Sequence, residues 1–325
     1  MMSIIRKKIK SMFPNLISYQ KLIKYKKDIT PSVRKVQALK QEEYPLYIKE
    51  FYEKRTHHCL DLEEPKRLTE KIQWRKIYDR DPVYSQLSDK YRVREWVEKK
   101  IGKEYLIPLL GSWEHFNDIN FDLLPNKFVL KTNNGCHTNY IVKDKKKFLH
   151  EKWSAKKIFE YWLKALEFWK GLELHYLDIK PLIIAEEYLL PNSNMTDLVD
   201  YKFHCLNGTP LICEVIEGRT SHETIDFYDM DWNHIQLERP PYPRTKEINK
   251  KPCHYEDMVS IARKLSQGFK YVRVDLFDNG RVYFGEMTFT PASGLVKFNP
   301  DEWDYQMGEL WDIHDKQVDH SVVGL

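Results

Sequence analysis

Nowhere does the sequence hold an uninterrupted apolar run near the roughly 18 residues that span a bilayer. The opening MMSIIRKKIKSMFPNLISYQKLIKYKK, broken throughout by lysine, reads as neither a signal peptide nor an anchor. Cysteine is sparse: Cys59, Cys136, Cys205, Cys213 and Cys253 are odd in number and show no paired close spacing, which disfavours a disulfide framework and a zinc site and fits a reducing cytoplasm. Charge of one sign is lacking too. Fifty-two Lys and Arg against 48 Asp and Glu leave +4, too little over 325 residues for a chain coated to bind nucleic acid, and no nucleic-acid partner is expected. Internal repeats and low-complexity tracts are absent.

What is present is an ordinary globular composition, 42% hydrophobic and 31% charged, in a length that suggests about two domains. Basic charge gathers at the N-terminus, where Ile4, Ile5, Met12, Phe13, Leu16 and Ile17 oppose Arg6, Lys7, Lys8, Lys10, Lys21, Lys24, Lys26 and Lys27. Two readings stand: residues 1–30 lie on an anionic leaflet, peripheral on the inner face of the plasma membrane, or they form a helix packed on its own domain with a lysine-rich outer face.

From Val36 to about Lys100 the spacing is helical, with one helix expected within Pro65–Pro82, Thr69 near its start and a turn at Asp79–Pro82, and another over Ser88–Gly102, capped by Ser88 or Asp89. Strands are expected at Tyr105–Leu110, Phe128–Lys131, Ile141–Lys143 and Leu182–Leu190, with a helix over Ala155–Trp169 and a polar loop at Pro191–Thr196. Asp200–Ile216 reads as two strands turning at Asn207-Gly208. Arg239–Pro252 reads as a loop, and Tyr255–Gly268 as a helix leading into a hairpin.

That hairpin, YVRVDLFDNGRVYFGEMTFTPASG, carries the densest chemistry. Alternation puts Arg273, Asp275 and Phe277 on one face of the first strand and Phe284, Glu286 and Thr288 on the facing side of the second. Two converging carboxylates beside an arginine suit Mg2+ against a polyphosphate; a cross-strand ion-pair ladder is the plainer reading. Upstream, FVLKTNNGCHTNYIVKDK places Lys131 before a polar turn containing Asn134 and Gly135, and Lys143 beyond it, a pattern that suits phosphate or, equally, an ordinary Asn-Gly hairpin. An apolar strand running into Glu186-Glu187-Tyr188-Leu189 can offer a carboxylate and backbone groups to an adenine edge. Asp200 and Lys202 share a strand face, the acid suited to a ribose hydroxyl and the lysine to phosphate.

In order, DKYRVREWVEKKIG, YLIPLLG, LPNKFVLK, AEEYL, DYKFHCLNG, VRVDLF and YFGEMTFTPASG resemble the TupA-like ATP-grasp family, over about Pro65 to Leu310. The resemblance implies an α+β ATP-grasp fold holding the nucleotide between two α+β subdomains. It implies a basic helical extension at 1–60, a helical or α+β subdomain at 61–125, the small ATP-grasp subdomain at 126–190 and the Mg-binding subdomain at 191–325. It implies ATP and Mg2+ as cofactors. Lys131, Asn134, Gly135, Lys143 and Lys202 would meet phosphate, Glu186, Glu187, Tyr188 and Leu189 adenine, and Asp200 ribose. Asp275, Glu286 and Thr288 would serve the metal, with Arg273 and Lys202 catalytic. Thr288 stands where such enzymes usually carry Asn, and Gly135 is followed by Cys136 and His137 where small residues are usual. The implied activity is carboxylate–amine ligation through an acyl phosphate, joining a uronic acid of a cell-surface polysaccharide to an amino acid or other amine. The alternatives are a glycosyltransferase using Asp229 and Asp231 as an Asp-x-Asp metal pair, and a membrane-surface scaffold that binds ATP without turnover. His137, His204 and His222 are not assigned a role.

Overall fold

The computed structural model describes residues 14–190, 197–219, 222–246 and 248–325. Its helices begin with α1 (Pro14–Gln37), α2 (Tyr44–Thr56), α3 (Leu68–Tyr78), α4 (Pro82–Ser88) and α5 (Val93–Ile101). Strands β1 (Leu109–Trp113), β2 (Phe128–Thr132) and β3 (Asn139–Val142) lead to α6 (Lys145–Trp162), α7 (Glu167–Gly171) and β4 (Ile183–Glu187). Then come β5 (Asp200–Leu206), β6 (Thr209–Glu217), β7 (Thr224–Tyr228), α8 (Tyr255–Ser266), β8 (Tyr271–Asp278), β9 (Val282–Thr288), α9 (Glu302–Glu309) and α10 (His320–Val323). The class is α+β, with both sheets antiparallel.

The chain divides into two compact units. The first comprises residues up to Lys40, Asp89–Tyr91 and Pro108–Tyr188. Its sheet runs β1-β4-β2-β3, and Phe128, Leu130, Ile183 and Ala185 bury against Phe148, Ala155 and Phe159 of α6. Asp144 starts α6 ten residues before the expected helix, its side chain accepting from the Lys147 amide at 3.0 Å. Much of the basic N-terminal segment, including residues 1–13, lies outside the described residues, as does Pro191–Thr196. Within α1, Ile29, Val33 and Val36 are buried, and Tyr19 meets Trp153 of α6 edge-on at 5.6 Å. Among the described residues no helix is long and apolar enough to cross a membrane.

The second unit comprises Gln41–Ser88, Arg92–Ile107 and Leu189–Leu325, with sheet order β7-β6-β5-β8-β9. One face of this sheet packs Phe203, Cys205, Val215, Val274 and Met287 against Met258, Ile261, Ala262 and Leu265 of α8. The opposite face buries Leu206, Ile212 and Tyr271 under Leu68 and Ile72 of α3 and under Met307 and Trp311, and leaves a charged group along its middle strands. The helix expected within Pro65–Pro82 is α3, which starts at Leu68 beside Thr69 and ends at Tyr78 ahead of the expected turn; a new helix starts at Pro82, because proline tolerates the first turn but not the interior.

Helix α3 docks on α9 through buried polar contacts. The Thr69 amide and hydroxyl donate to the two oxygens of Asp304 at 2.9 and 2.6 Å, and Arg67 lies 3.6 Å from the same carboxylate. Burial pushes the Asp304 carboxyl up to about 6, against the hydrogen bonds from Thr69 and the charge of Arg67. The folded state therefore binds this proton more tightly than the unfolded chain, whose carboxyl titrates near 3.8. Stability from this group is complete below the unfolded value and is lost as pH rises through the folded one. The expected loss is up to about 3 kcal/mol between roughly pH 4 and 6.5. Asp304→Asn should flatten that part of the urea-midpoint profile; an unchanged slope would show that Asp304 is not its source.

Candidate active site

In the first unit Lys131 leaves β2 with Nζ 2.5 Å from Oε2 of Glu186 on neighbouring β4, both side chains largely buried. The turn after β2 is held by Asn133. Its Nδ2 donates to Oδ1 of Asp89 at 2.9 Å and to the Lys180 carbonyl at 3.0 Å, and its Oδ1 accepts from the Leu182 amide at 2.7 Å. Lys90 adds two ties, its amide to the Asn133 carbonyl at 3.1 Å and its Nζ to the Gly135 carbonyl at 2.7 Å. Asp89 is thus not a helix cap but an anchor for this turn. Gly135 sits in a cradle that a Cβ would fill, 2.1 Å from Thr138 Oγ1 and 2.3 Å from Thr132 Oγ1. Asn134 Oδ1 is buried with no hydrogen-bond partner among the described residues. Lys143 follows β3 and lies 5.9 Å from the ring centre of Tyr188, while the Glu187 amide donates to the Pro108 carbonyl at 3.0 Å. Leu189 is the first residue of the second unit's last segment.

In the second unit Lys202, Arg273, Asp275, Glu286 and Thr288 do share one sheet face. Across the strands Glu214 pairs with Lys202, Lys202 with Asp275, and Asp275 with Glu286; beside that row His204 pairs with Arg273 and Arg273 with Thr288. Arg273 is the hub. Its Nε and Nη2 each donate to Asp275 at 2.7 Å, and Nη2 also reaches Thr288 Oγ1 at 3.3 Å and Glu286 Oε1 at 3.5 Å. Lys202 Nζ pairs with Asp275 Oδ2. Asp200 lies 3.9 Å from Lys202 and 2.5 Å from Arg219; burial holds its carboxyl above the usual range, against those two cations.

One expectation fails. Phe284 does not share the face of Glu286, because a bulge at Gly285 shifts the register between Asp275 and Leu276 and turns Phe284 into the α8 core with Leu276. A Cβ on Gly285 would lie 2.9 Å from the Asp275 carbonyl, so glycine allows the bulge.

Glu214, Arg219, Arg239 and the Asp89–Asn133 anchor were not among the expected site residues. Glu214 accepts from Arg239 Nη1 and lies 3.4 Å from Nε2 of His204, whose Nδ1 is 2.9 Å from the Tyr271 hydroxyl. Burial disfavours the Glu214 anion, but Arg239 and His204 outweigh it and hold the carboxyl far below its ordinary value. Burial likewise pushes His204 down toward the neutral ring, with both nitrogens engaged. Asp229 is committed to a turn: Oδ1 accepts from the amides of Asp231 at 3.0 Å and Asn233 at 2.7 Å, and Oδ2 from Asn233 Nδ2 at 2.9 Å. All five cysteines are free thiols.

One antiparallel sheet thus carries a lysine–glutamate pair beside an anchored turn, and the other an arginine-centred carboxylate group. The chain belongs to the TupA-like ATPgrasp family, whose model matches residues 70–312. No curated protein matches it. Among solved structures it is similar to D-alanine–D-alanine ligase from Bacillus anthracis complexed with ATP, at 16% identity over 70% of this chain and 65% of that one, with a TM-score of 0.39. It is similar to D-alanine–D-alanine ligase from Coxiella burnetii, at 16% identity, 70% and 59% coverage and TM-score 0.39. It is also similar to a biotin carboxylase–β,γ-ATP complex from Campylobacter jejuni, at 13% identity, 70% and 47% coverage and TM-score 0.36. The chain thus spans less than two thirds of the length of these structures.

Proposed function

We propose that the protein is an ATP-dependent carboxylate–amine ligase that works through an acyl phosphate, acting on a uronic acid of a surface polysaccharide or its precursor with an amino acid or other amine. The observation that carries the reading is the arginine-centred group Lys202, Arg273, Asp275, Glu286 and Thr288 on one sheet face, within a chain of the ATP-grasp family. In this reading a substrate carboxylate oxygen attacks the γ-phosphorus and the bond to the bridging oxygen breaks, releasing ADP. An amine nitrogen then attacks the acyl carbon, phosphate leaves, and the amine proton passes to solvent.

Lys131, Lys143 and Lys202 neutralise phosphate oxygens, and Arg273 steadies the charge that develops on the transferring group; both are effects of positioning and electrostatics. Asn134 and Gly135 bring turn amides to phosphate, Glu186 to Leu189 line adenine, and Asp200 serves the ribose. The donor set Asp275, Glu286 and Thr288 is all oxygen and suits Mg2+ in kind; Glu286 is the more open carboxylate, its side chain 28% exposed against 3% for Asp275. When bound there, Mg2+ would supply positive charge against the phosphates. We place the enzyme in the cytoplasm, with the basic segment at residues 1–30 against an anionic membrane face.

The test is ADP release from ATP and Mg2+ when an acidic glycan and mixed amino acids are supplied, together with calorimetric ATP binding to the wild type and to Lys131→Ala. Release that needs both co-substrates, and an ATP affinity about tenfold or more weaker in the variant, are expected. No release, with ATP binding untouched by Lys131→Ala, would sink the reading.

A further inference from the structure

Positive charge is concentrated in two helices of the first unit. Six Lys and Arg against one acid in α1, and six against two in α6, give +9 together; the whole chain is +4, so all other residues sum to −5. The two helices lie side by side and run the same way. Tyr19 of α1 meets Trp153 of α6 edge-on at 5.6 Å, and two turns further along both, Lys26 Nζ lies 5.9 Å from the Tyr161 ring centre.

Helical spacing decides which of these side chains face outward together. On α6, Phe148, Ala155 and Phe159 bury against the sheet, while Lys146, His150, Trp153, Lys157 and Glu160, spaced four, three, four and three apart, form an exposed stripe that continues to Lys164. On α1, Ile29, Val33 and Val36 are buried, and Ile23, one turn beyond Tyr19, leads a second exposed stripe with Lys27 and Arg34. Trp153 and Ile23 are each 50% exposed. The one acid of the α6 stripe, Glu160, is shared by Lys157 at 2.9 Å and Lys156 at 3.8 Å, so the net charge around the tryptophan stays positive.

Lysines alone would make this an ordinary solvated face. A tryptophan and an isoleucine held half-open among them ask for more, because their apolar surface gains nothing from water. The matching partner must offer negative charge at its surface and an apolar layer just beneath it. A soluble polyanion has only the first; an anionic bilayer has both, and an amphipathic indole ring suits the headgroup boundary.

We infer that α1 and α6 together form a docking face for an anionic lipid leaflet, with Trp153 and Ile23 entering the headgroup region and Lys27, Lys146, Lys157 and Lys164 against lipid phosphates. This rests on placing the basic segment at residues 1–30 against an anionic membrane and extends that contact to α6; the ligase chemistry is not needed for it. Each basic residue near such a surface is worth about fivefold in affinity, so two reversed lysines should count for about 25-fold or more.

The experiment is co-sedimentation of the full chain with vesicles of phosphatidylcholine alone and of phosphatidylcholine with about one third phosphatidylglycerol. Wild type should sediment with the anionic vesicles only, and added salt should release it. Lys146→Glu combined with Lys157→Glu should weaken binding about 25-fold or more, and Trp153→Ser about fivefold or more, with the melting temperature unchanged and ATP affinity within about twofold. A third variant, Lys7→Glu with Lys8→Glu, separates the N-terminal segment from α6. If only this third variant loses binding, the docking face does not include α6 and the proposal is overturned while the placement of residues 1–30 stands. Binding that ignores lipid charge, Trp153→Ser that binds as wild type does, or a single-stranded DNA oligonucleotide bound more tightly than the anionic vesicles would each overturn it too. Wild type that binds neither vesicle would remove the membrane placement as a whole, whereas the ligase reading is decided separately by ADP release.

Discussion

Arg273→Lys is expected to lower ADP release about 100- to 1000-fold while ATP affinity changes little. Lysine keeps the positive charge, so a loss of that size would isolate geometry. The guanidinium holds both oxygens of Asp275 at 2.7 Å and reaches Glu286 and Thr288 from the same nitrogen. A single ammonium cannot hold the two Asp275 oxygens in that fork and also span to β9. Asp275 would then be held chiefly by the pair it already makes with Lys202. A merely structural arginine predicts something else: a lower melting temperature with full turnover of the molecules that remain folded. Turnover per folded molecule, with kcat and KM for ATP read separately, distinguishes the two, and unchanged kcat would remove Arg273 from the chemistry.

The same face shows how far residue order alone reaches. Arg273 with Asp275, Glu286 with Thr288, and Asp200 with Lys202 were legible as same-face pairs because alternation within each strand is a property of the strand itself. Glu214 was not. The turn at Asn207-Gly208 pairs Leu206 with Thr209, and continuing that register would set Lys202 opposite Cys213. A shift between His204 and Cys205 moves the pairing by one residue, and Glu214 comes to face Lys202. One inserted residue reverses which face a whole strand presents, and nothing local in TPLICEVI marks it. Gly285 performs the same shift on β9, which is why Phe284 was placed on the wrong face. The Asp89–Asn133 anchor was hidden for a different reason: its partners are 44 residues apart and meet only once the first unit has folded. Capping logic gave Asp89 only a local use, and its Oδ1 does accept the Tyr91 amide at 2.8 Å, but the same oxygen also accepts from Asn133 of the turn after β2.

Gly308→Ala brings two physical effects into opposition, and their magnitudes decide the sign. Gly308 lies inside α9, where alanine normally gains about 1 kcal/mol over glycine through backbone entropy. Its Cβ, however, would lie 2.0 Å from the Lys66 carbonyl and 2.8 Å from both the Arg67 carbonyl carbon and the Leu68 amide. These are backbone atoms, so no side chain can swing aside. They are also fixed from several directions: Thr69 donates twice to Asp304, Lys71 Nζ donates to the Gly308 and Trp311 carbonyls at 2.8 and 2.6 Å, and the Arg67 guanidinium stacks 4.2 Å from the Tyr305 ring. Separating α9 from α3 strains or breaks that set, at about 2–4 kcal/mol for overpacking with backbone displacement. That exceeds the propensity gain, so the urea midpoint should fall with the m-value unchanged. A midpoint that rises would mean that helix propensity outweighs the contact.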